Sequence, residues 1–568
     1  MAPRAGDRGL RGRHGAGDAA RHDVPGRILS AAAGAGARTC ASRGDSVQYP
    51  AMTEQQTLSS TALSGRTAFD NEKYLSEQQA CILERVQRFN NKLYLEFGGK
   101  LMYDYHAARV LPGYDPNVKM RLLAALRENA DIILCIYACD IERKKVRADF
   151  GITYDSDTFR LIDDLRDWGL PIAGVVITRF EGQPGALAFK HTLERRGVRV
   201  YTHGPIRGYP ANVDFIVSER GYGANEYIAT TKPLVVVTGP GPNSGKMGTC
   251  LSQVYHENRR GQAAGYAKFE TFPIWNLPLR HPVNLAYEAA TADIGDFNLI
   301  DPFHLEAHSV QAVNYNRDVE TFPVLGAILG RITRACAGYR SPTDMGVNRA
   351  GFAITDDDVV RRAAAQEIIR RYYRYSCEYA MGLHGKETVD RVEVLMQELG
   401  LAPEHRRVVR PAKEAARDAQ REGLKGNKGI FVGAAMELKD GAIVTGTNSP
   451  LLHAASSLVL NAVKSLAGIP RALKLLSPHI IESVAALKQD ILRRKTVSLD
   501  LEETLIALCI CSTTNPTAKL AMEQLKDLRG CELHMTHMPA PGDETGLRRL
   551  GVNLTCEPVF ATNSLFVS

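Results

Sequence analysis

The segment 238–246 (TGPGPNSGK) combines residue types that bind phosphate, and it lies between an apolar run and a helical pattern. Glycines permit a tight turn and a close approach of the backbone to a ligand. The free N–H groups and the dipole at the start of the following helix favour an anion, and the ammonium group of Lys246 adds a positive charge. The residues expected to bind phosphate are Gly239, Gly241, Asn243, Ser244, Gly245 and Lys246. The alternative is an ordinary turn that caps the helix and leaves Lys246 in solvent.

This loop differs from the standard Walker loop at two points. Five residues separate Gly239 from Gly245, where the standard loop has four, and Met247 replaces the Ser or Thr that helps to hold Mg²⁺. The longer spacing resembles the loop of dethiobiotin synthetases, in which a Gly-x5-Gly-Lys-Thr turn follows a strand. Those enzymes carry a substrate-binding lysine in the segment equivalent to 265–270. The resemblance implies that Lys268 is a catalytic residue in the same pocket; the alternative is a strand-end lysine that reaches solvent.

A second polar segment, 293–308, is rich in groups that bind metals. Asp301, His304 and Glu306 are the expected ligands, and Asp301 is also an expected catalytic residue. On a strand His304, Glu306 and His308 would share one face, whereas on a helix only His304 and His308 would do so. Hard carboxylate oxygens in this segment would hold the Mg²⁺ that Met247 cannot bind. The alternative is a loop of helix caps and internally satisfied polar groups.

Other polar segments have less specific patterns. The loops 315–318 and 341–348 have the composition of functional loops, although turn chemistry alone explains them equally well. Segment 140–147 carries several basic residues after a predicted strand and could bind an anion or simply be a solvated helix start.

Length, charge and cysteine content restrict the class of protein. At 568 residues the chain is expected to form two to four domains. The net charge of +7 comes partly from eight arginines among the first fifty residues, so the remainder gives no support for a nucleic-acid partner. Eleven scattered cysteines without paired CxxC motifs suit free thiols in a reducing, cytoplasmic compartment. No apolar run is long enough to span a membrane.

The pattern of apolar segments predicts an α/β fold. Buried strands are expected at 93–99, 131–139, 172–178, 198–202, 234–238 and 264–269, with helices at 119–129, 158–168, 187–196 and 245–259 between them. Strands that alternate with helices indicate a mainly parallel, doubly wound sheet, whose ligands bind at the carboxyl ends of its strands. The predicted loop and Lys268 lie at such ends.

The predicted domain organisation has four parts. Residues 1–52 are expected to be a disordered extension or the result of a misassigned start codon. Their composition also fits an organelle transit peptide in part. Residues 69–340 form the α/β domain with the variant phosphate loop, residues 341–428 are mainly helical, and residues 429–568 form a C-terminal α/β domain.

Long stretches of the chain resemble a bacterial family of unknown function. They include KLYLEFGGKLMYDYHAARVLPG, PLVVVTGPGPNSGKMGTCLSQVYHE, SPTDMGVN and GVNLTCEP. They are similar to the family called domain of unknown function 1846, or uncharacterised protein family 371, from about residue 69 to 560. This resemblance implies a three-part α/β protein, and it brings no established reaction.

Three functions are compatible with these patterns. The first is an enzyme that binds ATP or a phosphorylated metabolite, with Mg²⁺, and acts as a ligase or phosphotransferase. The second is a non-catalytic sensor of a phosphorylated metabolite, and the third is an oligomeric scaffold. We expect a homo-oligomer that binds a phosphorylated small molecule, with neither a nucleic-acid nor a membrane partner.

Overall fold

The computed structural model describes residues 66–90, 92–147, 151–333, 338–423 and 425–562. The interpretation of residues 1–52 therefore lies outside the described residues.

The largest element is a sheet of seven parallel strands. In chain order its strands are β1 (Leu93–Phe97), β2 (Ala130–Tyr137), β5 (Ile172–Thr178), β6 (Val200–His203), β7 (Leu234–Thr238), β8 (Gly265–Phe269) and β11 (Gly346–Val347). Their order in space is β11-β8-β1-β7-β2-β5-β6, and every neighbouring pair is parallel. The predicted α/β fold with a mainly parallel sheet is confirmed.

The connections leave the centre of the sheet in opposite directions. From β2 the chain extends through β5 to β6 at one edge, and from β7 it crosses β1 to reach β8. Parallel sheets of this kind open a crevice at the carboxyl ends of the strands where the direction changes. The predicted phosphate loop follows β7 and therefore lies at this point.

Both faces of the sheet are buried, because alternate residues of each central strand belong to different apolar clusters. One face, which includes Leu95 and Val236, packs with residues of helices Asn71–Arg88, Tyr154–Asp167 and Asp357–Ala380. The opposite face, which includes Tyr94 and Val237, packs with helices Lys246–Arg259 and Asn316–Thr333. The sheet is thus wound on both sides, as the sequence predicts.

The predicted helical middle segment shares the first of these clusters. It consists mainly of helices Asp357–Ala380, Lys386–Glu398 and Val409–Glu422, and Ile368, Val392 and Leu395 belong to the same apolar cluster as β1 and β2. The helix from Asp357 begins where the side chain of Asp356 accepts a hydrogen bond from the N–H of Val359 at 3.1 Å, an N-cap that satisfies one free donor of the first turn.

The C-terminal domain has its own apolar core. Its strands are β12 (Gly433–Glu437), β13 (Ile443–Thr447), β14 (Glu532–Met535) and β15 (Asn553–Cys556). They form a mixed sheet in the order β13-β12-β14-β15, of which only the pair β14/β15 is parallel. Its α-helices are Ala454–Leu466, Pro478–Ala486, Leu501–Ser512, Pro516–Glu523 and Pro541–Leu550.

Short elements complete the fold. Two antiparallel strand pairs are formed by β3 (Val146–Arg147) with β4 (Ile152–Thr153) and by β9 (Asn298–Ile300) with β10 (Val313–Tyr315). The remaining α-helices are Tyr105–Val110, Val118–Ala125, Ala138–Glu142, Pro184–Arg195, Val213–Ile216, Pro282–Ala290, Pro302–His308 and Pro342–Met345. Among the residues that the structure describes, no helix has both the length and the apolar composition that crossing a membrane requires.

Candidate functional site

The predicted phosphate loop connects the buried strand β7 to the helix that begins at Lys246. Gly245 has a φ of 90°, and a Cβ atom there would lie 2.7 Å from the side chain of Thr178. A Cβ atom on Gly239 would lie 2.2 Å from the carbonyl oxygen of Cys135 in the adjacent strand β2. Both positions therefore require glycine, because a side chain would force the loop away from the sheet.

The N–H groups of this loop are available to a ligand. Within the residues that the structure describes, no acceptor is paired with the backbone N–H groups of Gly241, Asn243, Ser244, Gly245 and Lys246. This arrangement is typical of a helix start, where the first N–H groups have no partner inside the helix. A row of such donors is the structural requirement for binding an anion.

The carbonyl groups of the loop are held by neighbouring side chains. The hydroxyl of Thr178 donates to the carbonyl oxygen of Ser244 at 2.8 Å, and the guanidinium of Arg179 donates to that of Asn243. Nζ of Lys246 donates to the carbonyl oxygen of Gly241 at 3.2 Å and to Oγ of Ser244 at 3.4 Å. The ammonium group is therefore held over the loop itself.

The loop opens into a cavity of about 2260 Å³ at the carboxyl edge of the parallel sheet. Residues at or next to the carboxyl ends of the strands line one side of this cavity, among them Gly98, Thr178, His203 and Lys268. The other side is lined by residues of the C-terminal domain, among them Glu437, Glu532, Arg548 and Asn553. The six predicted phosphate-binding residues and Lys268 all line this one cavity.

Lys268 is the centre of a charged cluster in the same cavity. Its Nζ lies 2.5 Å from Oδ1 of Asp318 and 3.0 Å from Oε1 of Glu270, and it donates to the hydroxyl of Tyr315. The Tyr315 hydroxyl in turn donates to Oε1 of Glu270 at 2.9 Å. The alternative interpretation of Lys268 as a solvent-exposed lysine is inconsistent with this geometry, because its side chain is only 12% exposed.

Burial and charge shift two pKa values in this cluster. Burial lowers the pKa of Lys268, but the neighbouring carboxylates of Asp318, Glu270 and Glu96 outweigh it, so the net pKa is raised and the ammonium stays charged. Burial raises the pKa of Glu270 to about 7, against the opposing effect of the Lys268 charge. Glu270 can therefore exchange a proton near neutral pH, which is the property of a general acid or base.

Arg317 connects the loop to a second carboxylate. It forms a bidentate pair with Asp296, with Nε 2.5 Å from Oδ1 and Nη2 2.7 Å from Oδ2. Its Nη1 lies 3.4 Å from Oδ1 of Asn243 in the loop. A guanidinium that lines the cavity beside the loop adds positive charge where a phosphate would bind.

The structure does not bring together the predicted metal ligands Asp301, His304 and Glu306. Asp301 is fully buried as the N-cap of helix Pro302–His308, where its Oδ1 accepts from the N–H of His304 at 3.0 Å. Its Oδ2 accepts from Oγ1 of Thr343 at 2.7 Å and from the N–H of the same residue at 3.2 Å. Glu306 is exposed and lies two residues from His304 on the helix, so the two side chains diverge.

Asp301 also does not line the cavity that contains Lys246 and Lys268. Asp301 is therefore not placed to act as a catalytic residue in that cavity. Its two oxygens join the helix Pro302–His308 to the segment that contains Thr343. The alternative that the sequence left open, a helix cap with satisfied polar groups, describes its position.

Several residues of the cavity were missed as site residues. Glu270 could have been found, because it lies two residues after Lys268, directly after the end of β8, where alternate residues of an extended chain share a face. Arg317 and Asp318 lie in the polar segment 315–318 and in the first turn of helix Asn316–Thr333, but nothing in the sequence pairs them with Asn243 or Lys268. Arg179 follows β5 directly. Its position at the carboxyl end of a predicted parallel strand, where ligands bind, could have identified it as a site residue.

Comparison with known families matches both halves of the chain. The model described as "Domain of unknown function DUF1846, N-terminal" matches residues 67–400, and the corresponding C-terminal model matches residues 404–566. A relative from Clostridium tetani, called UPF0371 protein, is 53% identical over 501 residues, which cover 88% of this chain and 99% of the relative. A relative of the same name from Clostridioides difficile is 53% identical over 503 residues, which cover 89% and 100%.

Proposed function

The chain belongs to the DUF1846 family, and we propose that it binds ATP or a phosphorylated metabolite as a ligase-like or phosphotransferase-like enzyme. One observation carries this proposal: unpaired N–H groups of the loop 239–246 and the ammonium of Lys246 converge at the edge of a large cavity. The combination matches the electrostatic requirement of a phosphate group, which needs several donors and a compensating positive charge.

The size of the cavity favours an enzyme with two substrates. Pockets for one small molecule occupy roughly 300–1,000 Å³, whereas this cavity measures about 2260 Å³. Space therefore remains beside a nucleotide for a second reactant. Phosphotransferases and ATP-dependent ligases both need such an acceptor next to the phosphates.

The cluster around Lys268 would carry the chemical step. The ammonium of Lys268 would stabilise negative charge that develops on a transferred or leaving group, as fixed positive charges do in a water-poor site. Glu270, with a pKa of about 7, would accept a proton from an attacking hydroxyl, amine or acid. Tyr315 and Asp318 hold these two groups in position.

The residues beside the loop do not fit a protein-held Mg²⁺. The thioether of Met247 is a soft group that packs against apolar side chains. Asp296 and Asp318 are already paired with Arg317 and Lys268, and Asp301 does not line the cavity. Mg²⁺ would therefore enter bound to the phosphates of ATP rather than to protein side chains.

Isothermal titration calorimetry tests the binding. Wild-type protein is titrated with ATP, ADP, AMP, pyrophosphate and phosphate, with and without Mg²⁺. Lys246→Ala should abolish or strongly weaken the binding of the phosphorylated ligands. The control is Lys190→Ala, because Lys190 does not line the cavity and its Nζ lies 3.9 Å from Oε1 of Glu194 on its own helix. Equal affinity in the wild type and Lys246→Ala would refute the assignment of the loop.

Turnover separates the enzyme from the other two functions. The protein is incubated with ATP and a pool of metabolites, and nucleotide products are measured by mass spectrometry. Tyr315→Phe, which removes one hydroxyl from the Lys268 cluster, should retain ligand binding and lower the rate. Binding without turnover would favour the metabolite sensor, and absence of binding would favour the scaffold.

A further inference from the structure

Two histidines on one short helix face the same carboxylate from a distant part of the chain. His304 and His308 lie one turn apart on helix Pro302–His308, with their ring centroids 4.6 Å apart. Nδ1 of His304 is 3.6 Å from Oδ1 of Asp344, and Nε2 of His308 is 2.9 Å from Oδ2 of the same residue. Each of the three residues offers one ligand atom, and these atoms all lie within 4.8 Å of one another.

We infer that His304, His308 and Asp344 form a binding site for a divalent transition metal of the Zn²⁺ class. Two imidazole nitrogens and one carboxylate oxygen form a donor set that suits Zn²⁺ rather than Mg²⁺ or Ca²⁺. In a tetrahedral zinc site with bonds of about 2.0–2.2 Å, neighbouring ligand atoms are about 3.3–3.6 Å apart. The two nitrogen–oxygen separations to Asp344, 3.6 Å for His304 and 2.9 Å for His308, lie in or close to this range.

The surroundings hold the three ligands in place. Asp301 accepts from the N–H of His304 through one oxygen and from Thr343, the residue before Asp344, through the other. It thus fixes the helix that carries the histidines against the segment that carries the carboxylate. The N–H of Arg340 donates to Oδ2 of Asp344 at 3.2 Å, and a contact of this kind orients a metal-ligating carboxylate. Oγ of Ser341 lies 3.0 Å from Nδ1 of His304, so this hydrogen bond has to open when that nitrogen binds the metal.

The convergence of two histidines distinguishes this cluster from an ordinary ion pair. One histidine is sufficient to pair with Asp344, yet both rings approach it, His304 at Oδ1 and His308 at Oδ2. The side chains of His304, Asp344 and His308 are 12%, 21% and 34% exposed, so the metal has access from solvent and a water molecule can complete the coordination. None of the three residues lines the cavity of the phosphate loop, so the metal site does not depend on the proposed function.

Titration of untagged, chelator-treated full-length protein with Zn²⁺ tests the inference, and Co²⁺ provides a spectroscopic probe. The wild type should bind one Zn²⁺ per chain, and Co²⁺ should give the visible absorption of a nitrogen- and oxygen-coordinated tetrahedral or five-coordinate ion. His308→Ala removes an exposed ligand and should weaken binding at least tenfold. Glu306→Ala is the matched control, because Glu306 is exposed on the same helix but off the face of the histidines; it should leave the affinity unchanged.

The melting temperature without metal is measured for each variant, so that a folding defect is separated from the loss of a ligand. His304→Ala and Asp344→Asn provide two further variants, and each should weaken Zn²⁺ binding. Addition of Zn²⁺ should raise the melting temperature of the wild type. The inference is overturned if the wild type binds no Zn²⁺, or if His308→Ala binds it as tightly as Glu306→Ala does.

Discussion

Replacement of Asp301 by alanine should destabilise the protein without affecting its phosphate site. The side chain is fully buried and accepts three hydrogen bonds, from the N–H of His304 at 3.0 Å and from the N–H and hydroxyl of Thr343 at 3.2 and 2.7 Å. Loss of an N-cap costs about 1 kcal/mol, and each hydrogen bond to a charged group contributes about 1.5–3 kcal/mol. Asp301→Ala should therefore lower the free energy of unfolding by roughly 4–7 kcal/mol.

Tryptophan fluorescence during denaturation provides the assay, because the ring of Trp275 lies 6.2 Å from that of His304. Asp301→Asn is the matched comparison: it retains the oxygen that caps the helix and should be less destabilising than Asp301→Ala. Calorimetric titration of both variants with ATP, below their melting temperatures, should give the wild-type affinity. Normal stability combined with lost ATP binding in Asp301→Ala would refute the reasoning and restore a direct role for Asp301 at the ligand.

Three further predictions follow from single contacts. Burial raises the pKa of Glu270 from 4.5 to about 7, so the folded state binds the carboxyl proton more tightly than the unfolded state. Glu270 therefore lowers the free energy of unfolding progressively as the pH rises from about 4.5 to 7. Glu270→Gln should remove that part of the pH dependence of the melting temperature. An unchanged dependence of the melting temperature on pH would contradict the raised pKa of Glu270. Gly239→Ala places a Cβ atom 2.2 Å from a backbone carbonyl oxygen and should abolish phosphate binding, whereas Gly248→Ala, with nothing within 4 Å, should not. The Sγ atoms of Cys377 and Cys556 lie 3.5 Å apart, so the oxidant diamide should link their peptides in a mass-spectrometric map, and a map without this link would show that the thiols do not approach to bonding distance.

The strands of the central sheet could be predicted because each is a short apolar run with a clear end. The predicted strands 172–178 and 234–238 agree with β5 and β7 at both ends. The two-residue strand β11 was missed, since it is too short to show any periodicity. The loop 239–246 between β7 and the next helix could be located from the sequence for the same reason as β7, since all of its parts are consecutive in the chain, and its binding of phosphate stays a prediction.

The partners of the site residues could not be predicted, because they come from distant segments. Asp318 is fifty positions from Lys268, and Asp344 is 36 positions from His308. Asp301 carries a local signal that favours the helix-cap alternative over the metal ligand, because Asp followed by Pro302 is the pattern of an N-cap and first helical residue. In the structure this carboxylate starts a helix.

A crystal structure of the protein with ADP or a non-hydrolysable ATP analogue tests the central claim most directly. We predict phosphate oxygens within hydrogen-bonding distance of the N–H groups of residues 243–246, with Nζ of Lys246 moved from the carbonyl oxygen of Gly241 to the phosphate. A nucleotide whose phosphates lie elsewhere in the cavity, with the loop and Lys246 unchanged, would contradict the account.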